Sequence, residues 1–177
     1  MMKILTAFMA ISALLLGATV LPAISQAKTV KVKLDVQELD LPIDNKGTTY
    51  RAWAYEGKIP GPLVRVTEGD TVEFEMTNEP GNKNSHSIDF HAARADVLNE
   101  FAPIAPGKTK KFTFTADYPG IFFYHCGSDP MIQHIARGMF GAIIVDPKDE
   151  KLLPKADREY LLVQSEVYEN HEDVKAM

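Results

Sequence analysis

Residues 71–77, Thr-Val-Glu-Phe-Glu-Met-Thr, place Val72, Phe74 and Met76 on one face of an extended chain and Thr71, Glu73, Glu75 and Thr77 on the other. Strict alternation of this kind fits a half-buried β-strand and does not fit a helix. Residues 110–116 repeat the pattern, with Phe112 and Phe114 opposed to Lys111, Thr113 and Thr115. Further strand-like runs cover 28–36, 48–57, 62–69, 141–147 and 159–169, and turn clusters such as DNKG, KIPGP, NEPGNKN and DYPG separate them. Many short strands punctuated by Gly and Pro predict an all-β chain, an antiparallel sandwich or barrel. Residues 91–101 are expected to hold one short helical turn. There is no internal repeat and no interior linker.

The first 27 residues stand apart from this pattern. Lys3 is followed by an apolar run and then by Ser25-Gln26-Ala27, a small-x-small cleavage site. This predicts a secretory signal peptide cut after Ala27, with an uncleaved anchor as the alternative. The mature chain would then run from Lys28 to Met177, long enough for one domain with a full core, and would keep no stable membrane span. Removing Lys3 takes the formal net charge from −5 to −6. A mildly acidic chain without a basic run gives no reason to expect a nucleic-acid partner. The single cysteine, Cys126, cannot form an internal disulfide, so it is buried, paired with another chain, or held by a metal.

Four of the five histidines fall in two places: His86 and His91 in HSIDFH, and His125 and His134 either side of Cys126. If 86–91 is a regular strand, His86, Ile88 and Phe90 share one face while Ser87, Asp89 and His91 share the other. In the second segment Cys126 goes with Tyr124 and Phe122, and His125 goes with Phe123 and Ile121. Two back-to-back sites are therefore expected. The inner one has His86 and Cys126, completed by His134 eight residues on and Met139 five further. Two imidazoles, a thiolate and a thioether are the ligand set of a blue electron-transfer copper. Met131 is the rival axial ligand, and Ile88, Phe90, Phe122 and Phe140 are expected to keep water out. The outer site has His91, His125 and Asp89, whose carboxylate can hold a water or pass a proton. Two histidines are one short of the usual three for a catalytic metal, and the fifth, His171, reads as a solvated tail residue.

At these residues the sequence resembles the first cupredoxin domain of copper-containing nitrite reductases and related multicopper oxidases. The segments HSIDFHAA, GIFFYHC and MIQHIARGMFGAIIVDP carry the likeness, and EGKIPGPLVRVTEGDTVEFEMTN adds to it. The resemblance implies a Greek-key cupredoxin β-sandwich or barrel over 28–158, after a leader at 1–27. It implies type 1 copper ligands His86, Cys126, His134 and Met139, and type 2 copper ligands His91 and His125. Asp89 would bind substrate and relay protons, and the Cys126-His125 dipeptide would carry the electron between the coppers. Pairs of the form HxH, which would build a trinuclear cluster, are missing. Family members carry a second cupredoxin domain that supplies a third type 2 histidine across the interface of a homotrimer. Residues 159–177 resemble only the start of that domain. The resulting expectation is a periplasmic or secreted copper redox protein serving an electron-transfer partner. The alternatives are a nitrite reductase forming nitric oxide once another chain completes the type 2 site, and a copper-sequestering protein.

Overall fold

The computed structural model describes residues 27–168; most of the expected leader, and the tail with His171, lie outside them. Among the described residues, nine strands and one short α-helix form. The strands are β1 (Thr29–Lys33), β2 (Val36–Pro42), β3 (Thr49–Tyr55), β4 (Val64–Thr67), β5 (Thr71–Thr77), β6 (Asp89–Phe90), β7 (Thr109–Thr115), β8 (Gly120–His125) and β9 (Phe140–Asp146). The helix α1 (Met131–Ala136) lies between β8 and β9. Among the described residues, no helix is long and apolar enough to cross a membrane.

The strands form sheets ordered β1-β5-β7 and β4-β9-β8-β6, together with the ladder β2-β3. The aromatic residues that alternation turns inward meet between the two larger sheets. Phe90 on β6 packs its ring against Phe74, Phe114 and Tyr124 at centroid distances of 5.1, 5.3 and 5.4 Å. Phe74 in turn meets Phe112 at 4.9 Å. Each such ring, once buried, contributes roughly 1.5–3 kcal/mol of apolar transfer free energy. This packed layer is the rigid floor on which the histidine-bearing segments sit.

The structure departs from the sequence reading in five places. The sheets are mixed: β1 pairs β5 in parallel and β4 pairs β9 in parallel, while the other ladders are antiparallel. Parallel neighbours need long connections, and here β2 to β4 intervene in one case and β5 to β8 in the other. The segment 86–91 is not a continuous strand. Only Asp89 and Phe90 join the sheet, whereas His86 makes an isolated bridge to Ile104. Residues 131–136 are helical and residues 36–42 form a full strand, where the sequence reading assigned neither element. Finally, the strand expected over 159–169 does not form within 159–168. A strand requires a ladder partner, and this segment has none there; Glu159 instead pairs with Arg65 at 2.6 Å. The helical turn expected within 91–101 is present, closed by Glu100 N–H donating to the Asp96 carbonyl at 2.7 Å.

Candidate metal centres

Strand β8 ends with Tyr124 and His125, Cys126 follows directly, and the extended backbone turns neighbours to opposite sides. Tyr124 and Cys126 are fully buried, while Ile121 and Phe123 on the opposite face are exposed. The expected division of His125 from Cys126 therefore holds, and each residue meets a different partner.

On the inner side, His86, Cys126 and His134 converge. His134 Nδ1 lies 3.2 Å from Cys126 Sγ and 3.2 Å from His86 Nδ1. All three residues are buried, and their donor atoms lie close enough to share one ion. Met139 is fully buried as well. Its N–H donates to the His134 carbonyl at 3.1 Å, and its own carbonyl accepts from the Cys126 N–H at 3.1 Å. The backbone thus ties Met139 to two of the three residues it was grouped with, His134 and Cys126. Met131, the rival, is exposed at the start of α1.

The helix explains how His134 reaches the site. Pro130 precedes α1 with an extended backbone, and His134 is the buried residue of that helix. Beyond it, Gly138 has a φ of +112°, and a Cβ there would lie 2.2 Å from Ile59 Cδ1. Only glycine fits this turn, which carries the chain from His134 to Met139 in five residues. The turn is pinned to β3: Trp53 N–H donates to the Arg137 carbonyl at 3.0 Å, and Tyr50 Oη donates to the Ala136 carbonyl at 2.7 Å.

Several residues around the inner site were not found by sequence reasoning. Trp53 packs edge-on against His86 at 5.3 Å and His134 at 4.6 Å, so it walls off the two imidazoles. Of the residues expected to form the apolar shell, Phe90 makes its ring contacts in the main core, and Phe140 stacks on Phe123 at 6.0 Å. Ser87 N–H donates to Cys126 Sγ at 3.4 Å, and Tyr55 Oη donates to the Ser87 carbonyl at 2.6 Å. Glu38 Oε1 lies 3.0 Å from His86 Nε2. No periodic or motif signal marks these residues, because their roles depend on cross-strand and cross-sheet contacts.

Burial sets the protonation of this cluster. It lowers His134 to about 4, helped by the nearby His86. Burial also lowers His86, against the opposing pull of Glu38. For Glu38, burial pushes the carboxyl up, but hydrogen bonds from Asn84, His86 and Lys83 outweigh it and leave the group below its usual range. Neutral imidazoles, with a carboxylate behind one of them, are the form in which histidine ligates a soft metal.

The outer side is more open. His91 Nε2 and His125 Nε2 approach to 3.0 Å, and a carboxylate oxygen of Asp89 lies within 4.8 Å of both histidine donor atoms. The ladder brings this about, since Asp89 is the register partner of His125 in the β6–β8 pair. His125 Nδ1 lies 3.0 Å from the Cys126 carbonyl. A carbonyl only accepts, so Nδ1 carries the proton and Nε2 is left bare for a ligand. His91 is exposed and Asp89 half-buried. The outer group therefore has two converging nitrogens and a carboxylate on an accessible face, whereas the inner group is closed. His-Cys-His with a buried methionine fits a mononuclear copper on donor softness; the outer His pair fits a harder, more labile ion.

Comparison with known proteins agrees with this chemistry. The family model described as multicopper oxidase matches residues 35–150. The copper-containing nitrite reductase of Neisseria meningitidis serogroup A is 44% identical over 140 residues, covering 78% of this chain and 36% of the relative. The structure of copper nitrite reductase from Nitrosomonas europaea superposes with a TM-score of 0.81 at 68% identity, covering 84% of this chain and 52% of that one. A copper-containing nitrite reductase from Thermus scotoductus superposes with a TM-score of 0.63 at 34% identity, covering 70% of this chain and 28% of that one. The chain thus spans about a third of the length of the curated relatives it matches, and about half of the Nitrosomonas europaea structure.

Proposed function

The chain belongs to the multicopper oxidase family, in the lineage of the copper nitrite reductases, and from that premise we propose that it is an exported one-electron carrier. In this reading His86, Cys126, His134 and Met139 hold a type 1 copper, which supplies reversible exchange between the cuprous and cupric states. The observation that carries the reading is the buried convergence of His134 Nδ1 with Cys126 Sγ and His86 Nδ1, each at 3.2 Å. Cys126 provides the soft donor, and the Ser87 N–H moderates the charge on its sulfur. Trp53 keeps water from both imidazoles. A site whose groups are already packed moves little during electron exchange, which favours a fast carrier.

A second reading, nitrite reduction to nitric oxide, has its own observation. His91 and His125 present two Nε2 atoms 3.0 Å apart beside the Asp89 carboxylate, on the face opposite the inner site. An electron carrier alone has no need of them. In this reading they would hold a type 2 copper completed by a histidine from another subunit of a homotrimer, with Asp89 as the proton relay to the substrate. The export signal at 1–27 and a periplasmic electron donor belong to both readings.

Two substitutions test the assignment. Cys126→Ser is expected to abolish blue absorption in the copper-loaded chain, and a variant that stayed blue would refute the inner site. His91→Ala is expected to leave the blue absorption intact and to remove any second copper. Loss of colour in that variant would refute the division of ligands between faces.

A further inference from the structure

The two ring nitrogens of His86 face different neighbours. Nδ1 points into the inner cluster, 3.2 Å from His134 Nδ1, while Nε2 lies 3.0 Å from Glu38 Oε1. We propose that Glu38 is the positioning residue of the inner site: its carboxylate holds His86 as the Nε2–H tautomer, aims Nδ1 at the metal position, and lends negative charge that favours the cupric state. This rests on the type 1 copper reading above.

Three observations support a built contact rather than a chance one. Both side chains are inside the protein, with His86 0% and Glu38 4% exposed. An acid this deep is uncommon unless it is partnered. The carboxylate is itself held, since Oε1 also accepts from Lys83 N–H at 3.1 Å, Asn84 N–H at 2.8 Å and Asn84 Nδ2 at 3.0 Å. Glu38 N–H donates to Asn82 Oδ1 at 2.8 Å, and Asn82 Nδ2 donates to the Val36 carbonyl at 2.8 Å. Strand β2 and the loop leading to His86 are therefore stitched together with the carboxylate at the seam. Glu38 is also the register partner of Trp53 in the β2–β3 ladder. Directly paired residues put their side chains on one face of a sheet, so one cross-strand pair supplies both the indole against the imidazoles and the acceptor behind His86. An ionised carboxylate accepts and never donates, so the proton sits on Nε2 and Nδ1 is free to ligate. Carboxylates placed behind ligating histidines set ring orientation and raise basicity.

Glu38→Gln and Glu38→Ala separate charge from position. A glutamine Oε1 can accept the same four hydrogen bonds, so Glu38→Gln removes the charge while keeping the shape. It is expected to keep full copper occupancy and to raise the reduction potential. Poised at the wild-type midpoint, the ratio of reduced to oxidised protein should move from one towards about ten, a shift of about 59 mV. Glu38→Ala is expected to weaken copper affinity roughly 10–100-fold. A fully loaded Glu38→Gln with a ratio changed less than about twofold would overturn the charge role. Histidine ring nitrogen NMR on the metal-free wild-type chain needs neither variant nor copper. It is expected to show His86 protonated at Nε2 and bare at Nδ1, and the opposite tautomer would overturn the proposal. A wild-type chain that bound no copper would refute the functional reading, while the tautomer measurement would still decide whether Glu38 holds His86.

Discussion

Tyr55→Phe isolates one buried hydrogen bond that links the core to the metal centre. Tyr55 is fully buried, and its Oη donates at 2.6 Å to the carbonyl of Ser87, itself fully buried. Burial also pushes the phenol well above its usual range, so it remains a donor at any ordinary pH. Removing one oxygen leaves almost no cavity, so the cost comes from stranding the Ser87 carbonyl, about 1–3 kcal/mol for a buried acceptor. With a urea slope of about 2 kcal/mol per molar for a domain of this size, a loss of about 2 kcal/mol lowers the unfolding midpoint by about 1 M without changing the slope. Tyr124→Phe is the control. Its Oη donates to the Pro62 carbonyl at 2.7 Å, but Pro62 is only half-buried, so water can replace the phenol. The expected order is a large drop for Tyr55→Phe and a smaller one for Tyr124→Phe. Because Ser87 also donates its N–H to Cys126 Sγ, only Tyr55→Phe should shift the blue absorption band. A Tyr55→Phe midpoint within about 0.3 M of wild type, which at this slope is well under 1 kcal/mol, would refute the reasoning.

Two further outcomes follow from the same geometry. Gly138→Ala should cost about 2–4 kcal/mol, from overpacking against Ile59 and from a positive φ that alanine tolerates poorly; a urea-midpoint loss worth less than about 1 kcal/mol would contradict the close approach. The metal-free chain should lose stability on acidification. Because His134 is held to about 4, the unfolded chain takes up its proton from about pH 6.5 downward while the folded chain does not. The loss therefore begins below about pH 6.5, is complete near pH 4, and for His134 alone amounts to roughly 3 kcal/mol. Urea midpoints at pH 7 and 4.5, compared with those of His134→Gln, check this; identical pH slopes in the two proteins would contradict it.

Much of the fold was legible because alternation is a local property. Val72, Phe74 and Met76 are all buried on β5, and Phe112 and Phe114 on β7, as the pattern requires. The two-site arrangement was legible for the same reason, since parity alone sends His125 and Cys126 to opposite faces. Strand pairing was not, because nothing local in β1 or β4 says that its neighbour runs parallel to it. The helix carrying His134 spans only six residues, too few for periodicity to register, and Pro130 was the one available hint. Glu38 was invisible for a different reason. In the run Val36-Gln37-Glu38-Leu39-Asp40 it looks like any solvated strand acid, and only the fold of the 82–86 loop over β2 buries it.

The central claim is that the buried inner cluster is a type 1 copper centre. Copper stoichiometry combined with electron paramagnetic resonance on the copper-loaded chain tests it most directly. One copper per chain with a narrow-hyperfine blue-copper signal is the predicted result for the inner site. A second copper with a wide-hyperfine signal perturbed by nitrite would add the outer centre and bring the reductase reading forward. A chain that took up no copper, or gave only a wide-hyperfine signal without blue absorption, would contradict the account.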